Sequence, residues 1–159
     1  MDKYGLDRLR RECEAANGNF AQLWAVMTPL AAEWVEIRHE PPQPDLDGWR
    51  RRADFTAYVE HEAATFTKAF RDPSIGAEIH IEGGTLVWDP LRLAGEPLLS
   101  GERVEIRYRV EMHFADGELV RVVGVPDPRN VKSDVIAWLK SVAAVGGFNP
   151  PAALPQRPA

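Results

Sequence analysis

The chain has 159 residues, 45% hydrophobic and 27% charged, which is a globular profile rather than a disordered or fibrous one. One domain is the default at this length, and it can bury enough surface to hold a core without disulfides or a structural metal. The net charge of −5 argues against nonspecific nucleic-acid binding, no apolar run approaches the roughly 20 residues of a membrane span, and the charged N-terminus lacks the apolar stretch of a signal peptide.

Leu6, Leu9, Cys13 and Ala16 recur at helical spacing and predict a helix over 5–16 that Asn17-Gly18 ends. Cys13 is the single cysteine, so no internal disulfide forms and a reducing, cytoplasmic compartment is expected. Asn19 is placed to cap a second helix with Phe20, Leu23, Trp24, Met27 and Ala31 on one face, bent or shortened by Pro29. Alternating β-formers predict a strand over 34–39, and the turn-rich residues 40–45 follow. A long helix then starts near Leu46 or Trp49 and runs to Phe70 along an apolar stripe of Phe55, Val59, Ala63 and Phe66, and Asp72-Pro73 stops it.

The second half reads as β. A hairpin about Gly83-Gly84 pairs Ile79 with Trp88 and Ile81 with Leu86, and leaves Glu78, His80 and Asp89 on the other face. Pro90 is expected to interrupt the return strand, with a loop over 94–102. Val104, Ile106, Tyr108, Val110, Met112 and Phe114 face one way along the next strand, and Glu105, Arg107, Arg109, Glu111 and His113 face the other. The last strand covers 118–126. A two-residue Asp116-Gly117 turn would pair Phe114 with Leu119 and Met112 with Arg121. A three-residue turn with a bulge at Gly117 would pair Glu111 with Arg121, and it is preferred because it keeps Arg121 opposite a carboxylate. Val131, Val135, Trp138, Leu139 and Val142 predict a final amphipathic helix. The domain thus spans 1–145, and the Pro/Gly/Ala-rich residues 146–159 are expected to form a flexible tail.

The order and lengths of these elements, with Gly48 opening the long helix, the hairpin Phe114-Ala115-Asp116-Gly117-Glu118-Leu119-Val120, and Asp127 before the final helix, resemble the SnoaL-like branch of the nuclear transport factor 2-like (NTF2-like) superfamily. The resemblance spans roughly residues 5 to 145. It implies an α+β fold in which a cone-shaped, curved mixed sheet carries helices on its concave face. It also implies a choice among isomerases, cyclases, epoxide hydrolases, dehydratases and non-catalytic modules, because fold does not fix function. In isomerase-like members an inward acid falls on Val110, which can donate no hydrogen bond, and the base falls near Glu36. In epoxide-hydrolase-like members the matching positions are Asp89, Val87 and Gly124, so two of three parts are missing. Cyclase-like members would use Asp127 and His113, which lie on or beyond the charged face in the preferred register.

The pocket implied by the resemblance is mostly apolar, with Trp24, Trp34, Tyr58, Trp88, Tyr108, Val110, Met112 and Val122 as candidate walls. Glu36, His39, Asp54 and Asp127 are the candidate bases, and Tyr58 and Tyr108 the candidate donors. Glu78, His80 and Glu82 share a strand face but read as a solvated surface, and Glu60-His61-Glu62 point apart on a helix, so no metal site is expected. No glycine-rich phosphate loop appears, and no cofactor is implied. The expected partner is a small hydrophobic molecule. The alternating charges of Glu105, Arg107, Arg109, Glu111 and Arg121 suit a two-fold homodimer contact on the outer sheet face. The function implied is a cofactor-free isomerase, cyclase or dehydratase; the alternative is a non-catalytic dimeric binding or assembly module.

Overall fold

In the computed structural model, which describes residues 1–159, the chain runs α1 (Lys3–Ala16), α2 (Phe20–Met27), β1 (Ala31–His39), β2 (Gly48–Arg51), α3 (Arg52–Ala69), β3 (Phe70–Glu82), β4 (Thr85–Pro97), β5 (Val104–Ala115), β6 (Glu118–Pro126) and α4 (Lys132–Ala144). The strands form one curved, unclosed six-stranded sheet in the order β2-β1-β6-β5-β4-β3. Only β1 and β6 pair parallel. The helices cover the concave face and enclose a core in which Leu23, Met27, Val35, Phe55, Leu86, Trp88, Met112 and Leu119 are fully buried. Each such side chain stabilises the fold by about 1.5–3 kcal/mol relative to exposure. No helix is long and apolar enough to cross a membrane.

The caps follow the sequence. Asp2 accepts from the Gly5 amide at the start of α1, and Asn19 accepts from the Gln22 amide at the start of α2. Pro29 sits in a 3₁₀ turn, Thr28–Leu30, that ends α2. Asn17 reaches across to bond both backbone groups of Ala77, tying the end of α1 to β3.

The long helix begins later than the periodicity suggests. Residues Gly48–Arg51 form an edge strand paired with β1, and α3 starts only at Arg52. The partners that hold Trp49 extended are remote: β1 on one side and the Leu154 backbone on the other, at 2.7 and 2.8 Å. Likewise, β4 does not stop at Pro90. It continues to Pro97 with a register shift between Trp88 and Leu91, and the bulge absorbs the residue that has no amide to donate. Beyond it Leu91 and Leu93 face inward, so 94–97 are strand and the loop is short.

The last hairpin corrects the preferred register. Asp116 and Gly117 both have positive φ, at 51° and 79°, and form a two-residue turn with Ala115 opposite Glu118 and Phe114 opposite Leu119. A bulge then lies beside Val120, so His113 pairs with Arg121 and Met112 with Val122. The bulge, not the turn, restores Arg121 to the charged face and Val122 and Gly124 to the concave face.

Residues 146–159 do not hang free. Phe148 packs edge-on to Tyr58 at 5.2 Å, Pro151 accepts a hydrogen bond from Arg50, and Leu154 bridges Trp49. A Cβ at Gly48, whose φ is +134°, would lie 2.5 Å from the Leu154 carbonyl oxygen. The glycine is therefore required by the docked tail.

Candidate active site

Trp24 of α2 packs on Trp88 at 4.8 Å and fills the cone beneath α1 and α2. The other end stays open as a cavity of about 300 Å³. From the helix layer it is lined by Phe20, Trp24, Phe55, Tyr58, Val59, Glu62, Thr65 and Phe66. From the sheet it is lined by Ile37, His39, Leu91, Leu93, Tyr108, Val110, Val122 and Gly124. Trp138, Leu139 and Val142 of α4, with Phe148 of the tail, complete the wall. Trp138 is stacked on Phe70 at 4.6 Å and Phe66 at 5.5 Å, which fixes α4 in place.

Glu62 is the charged side chain that α3 aims inward. It sits three and four residues after Val59 and Tyr58, and therefore on the same helical face. It is half-buried and lines the cavity, and burial pushes its carboxyl from 4.5 up to about 7. No basic group or hydrogen-bond donor within the chain offsets that cost. Burial, reinforced by the nearby Glu62, also raises the Tyr58 hydroxyl well above its ordinary range and pushes Tyr108 up to about 12. Both phenols thus stay protonated at neutral pH and are free to donate. The Tyr58 ring is held from behind by the Arg50 guanidinium, 4.5 Å from its centroid. Arg50 is itself 1% exposed and is anchored by the carbonyls of Leu46 and Pro151, each at 2.8 Å.

Among the residues singled out in the sequence, Trp24, Tyr58, Tyr108, Val110, Val122 and His39 meet at this cavity. Others lie elsewhere. Trp88 and Met112 are fully buried in the closed end of the core. Trp34 faces outward beneath Arg51, whose guanidinium is 4.8 Å from its ring. Glu36 is on the outer face because β1 alternates Val35, Ile37 and His39 inward, and it pairs with Arg121 at 2.7 Å and Arg38 at 3.1 Å. Asp54 is exposed in the first turn of α3. Asp127 turns back on its own segment: it accepts from the Arg129 amide at 2.8 Å, and the Arg129 side chain holds its carboxyl below the usual carboxylate range. Val110 and Gly124 do line the cavity and supply no acid. No group of acidic, histidine or cysteine side chains could hold a metal ion. Cys13 is buried, which pushes its thiol up to about 11 and leaves it inert as a nucleophile.

Glu62 is the residue that sequence reasoning missed. Glu60, His61 and Glu62 point apart on the helix, so the three do not share one environment. The phase of Glu62 on the Phe55–Val59–Phe66 stripe is the signal that separates it from the other two.

No family model matches the sequence, and no curated protein matches it. Solved structures do resemble the fold. An NTF2-like protein from Burkholderia thailandensis is 17% identical over 82% of this chain and 96% of its own, with a TM-score of 0.56. A proposed SnoaL-like polyketide cyclase from Jannaschia sp. CCS1 is 17% identical over 91% and 98%, at 0.54. A proposed polyketide cyclase from Acidithiobacillus ferrooxidans is 12% identical over 89% and 99%, at 0.58. The cone-shaped sheet, its strand order and these likenesses together identify the fold of this chain as NTF2-like.

Proposed function

We propose that the cavity binds a small, mostly apolar, ring-containing molecule and catalyses cofactor-free proton transfer on it. The observation that carries this reading is Glu62, a carboxyl without a partner in an apolar chamber, poised near neutrality. A base with that pKa removes a proton from carbon beside a carbonyl most effectively near pH 7. Tyr58 and Tyr108 donate to the oxygen on which the negative charge collects. Isomerisation, cyclisation and dehydration all begin with this step. The cyclase descriptions of two structural neighbours are compatible with it.

The test is proton NMR of 2-tetralone in deuterated buffer, a bicyclic ketone with exchangeable hydrogens beside its carbonyl. The protein is expected to accelerate exchange, and Glu62→Gln to slow it by about a hundredfold or more, the usual contribution of a positioned base. Exchange by Glu62→Gln at the wild-type rate would refute the assignment.

A second reading, a non-catalytic binding module, is favoured by Val110 and Gly124, which bring no acid to the sheet side of the chamber. Binding of 2-tetralone without exchange above the buffer rate would select it. In either reading the outer sheet face serves as a homodimer contact. Its charges are already paired within one chain, Arg109 with Asp89, Glu82 and Glu111, and Arg107 with Glu105, so packing a second copy there strands no charge. Light scattering on purified protein checks the dimer.

A further inference from the structure

We infer that His39, oriented by Asp47, is a second proton-transfer residue of the chamber, acting from the sheet as an acid on an oxygen leaving group while Glu62 acts from the helix layer as the base. The inference rests on the reading of Glu62 given above and deepens it to one substrate class: β-hydroxy ketones that lose water. His39 Nδ1 lies 2.6 Å from Asp47 Oδ1. The other carboxylate oxygen of Asp47 accepts from the Gln43 amide at 2.9 Å, so the carboxylate is braced and only accepts. Nδ1 therefore carries a hydrogen, and Nε2 is the nitrogen with a proton to give or take. His39 is the last residue of β1, on its concave face, and lines the cavity with no other partner for its ring.

Gly124 explains how the ring fits. It neighbours His39 across the parallel β1–β6 pair. A Cβ at 124 would stand 3.2 Å from His39 Cδ2 and 3.6 Å from Nε2. Even a methyl at 124 would make the imidazole give by a few tenths of an ångström, so the histidine occupies space that a larger side chain on β6 would otherwise fill. The sheet side of the cavity, which receives no acid from Val110 or Gly124, receives this group from β1 instead.

The step balances without a further reagent. Glu62 takes the proton from the carbon beside the carbonyl, giving an enolate held by Tyr58 and Tyr108. The enolate electrons form the carbon–carbon double bond, and the bond from the β-carbon to its oxygen breaks with the electron pair on oxygen. His39, carrying a proton on Nε2 as well as Nδ1 for this step, gives the Nε2 proton to that oxygen, which departs as water. Glu62 is left protonated and His39 neutral, and exchange with solvent resets both. Asp47 is a positioning residue that keeps the ring in the Nδ1–H form.

The probe is 4-hydroxy-4-phenylbutan-2-one. Its exchange beside the carbonyl reads Glu62 by NMR, and its conversion to the conjugated enone reads the complete elimination by ultraviolet absorbance. Wild-type protein is expected to do both. His39→Gln is expected to lower the ratio of elimination to exchange by about thirtyfold or more, within the range of general-acid contributions. Asp47→Asn should lower the same ratio and move the ring hydrogen from Nδ1 to Nε2 in nitrogen-correlated NMR, a signature that a merely structural role would not produce. Gly124→Ala should lower it less. A parallel fall of both rates in His39→Gln would show a role in shape only and overturn the proposal. Exchange without elimination in the wild type would overturn it while leaving Glu62 as the base, and the absence of both would overturn both assignments. Should the variants fold poorly, the wild-type His39 Nε2 resonance is expected to shift when 2-tetralone is added; an unmoved resonance would place the ring outside the site and reject the role.

Discussion

Replacing Glu62 by glutamine keeps the volume and polarity of the side chain and removes its ionisation. In the folded protein the carboxyl titrates at about 7, against 4.5 when unfolded. Between those values the folded chain holds a proton that the unfolded chain has released, so stability falls as pH rises across that window. The neutral carboxyl is tolerated in full below 4.5, and the cost of the buried charge is complete above about 7. At about 1.4 kcal/mol per pH unit the gap corresponds to about 3 kcal/mol. Glu62→Gln should therefore match the wild type in urea unfolding near pH 4.5 and exceed it by up to about 3 kcal/mol near pH 8. For a chain of this length that is a rise of roughly 6 to 12 °C in Tm. A difference between the two proteins that does not change with pH would mean that the carboxylate is solvated or paired, and would remove the basis for assigning it as a base. A gain in stability that coincides with lost exchange of 2-tetralone is the combination expected of a group kept for function at a cost to the fold.

Arg50→Met removes the donors to Leu46 and Pro151 while keeping bulk beside Tyr58, and should cost about 2 kcal/mol or more and open residues 146–159 to limited proteolysis. Gly48→Ala places a methyl against the Leu154 carbonyl at a backbone angle that alanine rarely adopts; faster hydrogen exchange at the Trp49 and Leu154 amides would report the released tail. Met112→Ala should destabilise by about 2–5 kcal/mol, seen in denaturant unfolding, without abolishing 2-tetralone exchange, because Met112 is core and not wall. Cys13 should react with a thiol reagent only as fast as the protein unfolds, since its thiol is buried and pushed up to about 11.

The features legible in the sequence were those written in local pattern. Helix caps at Asn19, the stripe of α3, the Gly83-Gly84 hairpin with Ile79 opposite Trp88, and the two-faced strand from Val104 to Phe114 all follow from spacing over a few residues. What escaped depends on remote partners. Residues 48–51 look helical until β1 and Leu154 pair with them. The tail looks idle until buried Arg50 captures Pro151. The bulge at Val120 leaves no compositional mark, yet it decides which side of β6 meets the chamber. For the site, aromatic and aliphatic walls were found by residue type, whereas Trp88 and Met112 share the inward face with Tyr108 and Val110 but lie at the closed end of the cone. A face can be read from alternation; depth along it cannot. Glu62 is legible by its phase, three residues after Val59 and four before Phe66, a phase that its chain neighbours Glu60 and His61 do not share.

The parallel pairing of β1 with β6 has a consequence for how the molecule is made. These strands adjoin in the sheet, yet the Glu36–Arg121 ion pair between them joins residues 85 apart in the chain. During synthesis β1 and β2 wait as a small antiparallel pair, with one β1 edge open, until four further strands and a helix have emerged. Long-range pairing of this kind slows folding and exposes strand edges while it is pending. The wall that seats His39 against Gly124 is therefore among the last parts of the sheet to close. A chain interrupted before residue 118 would keep Glu62 on its helix but lack Val122, Gly124 and the strand that joins β1 to β5.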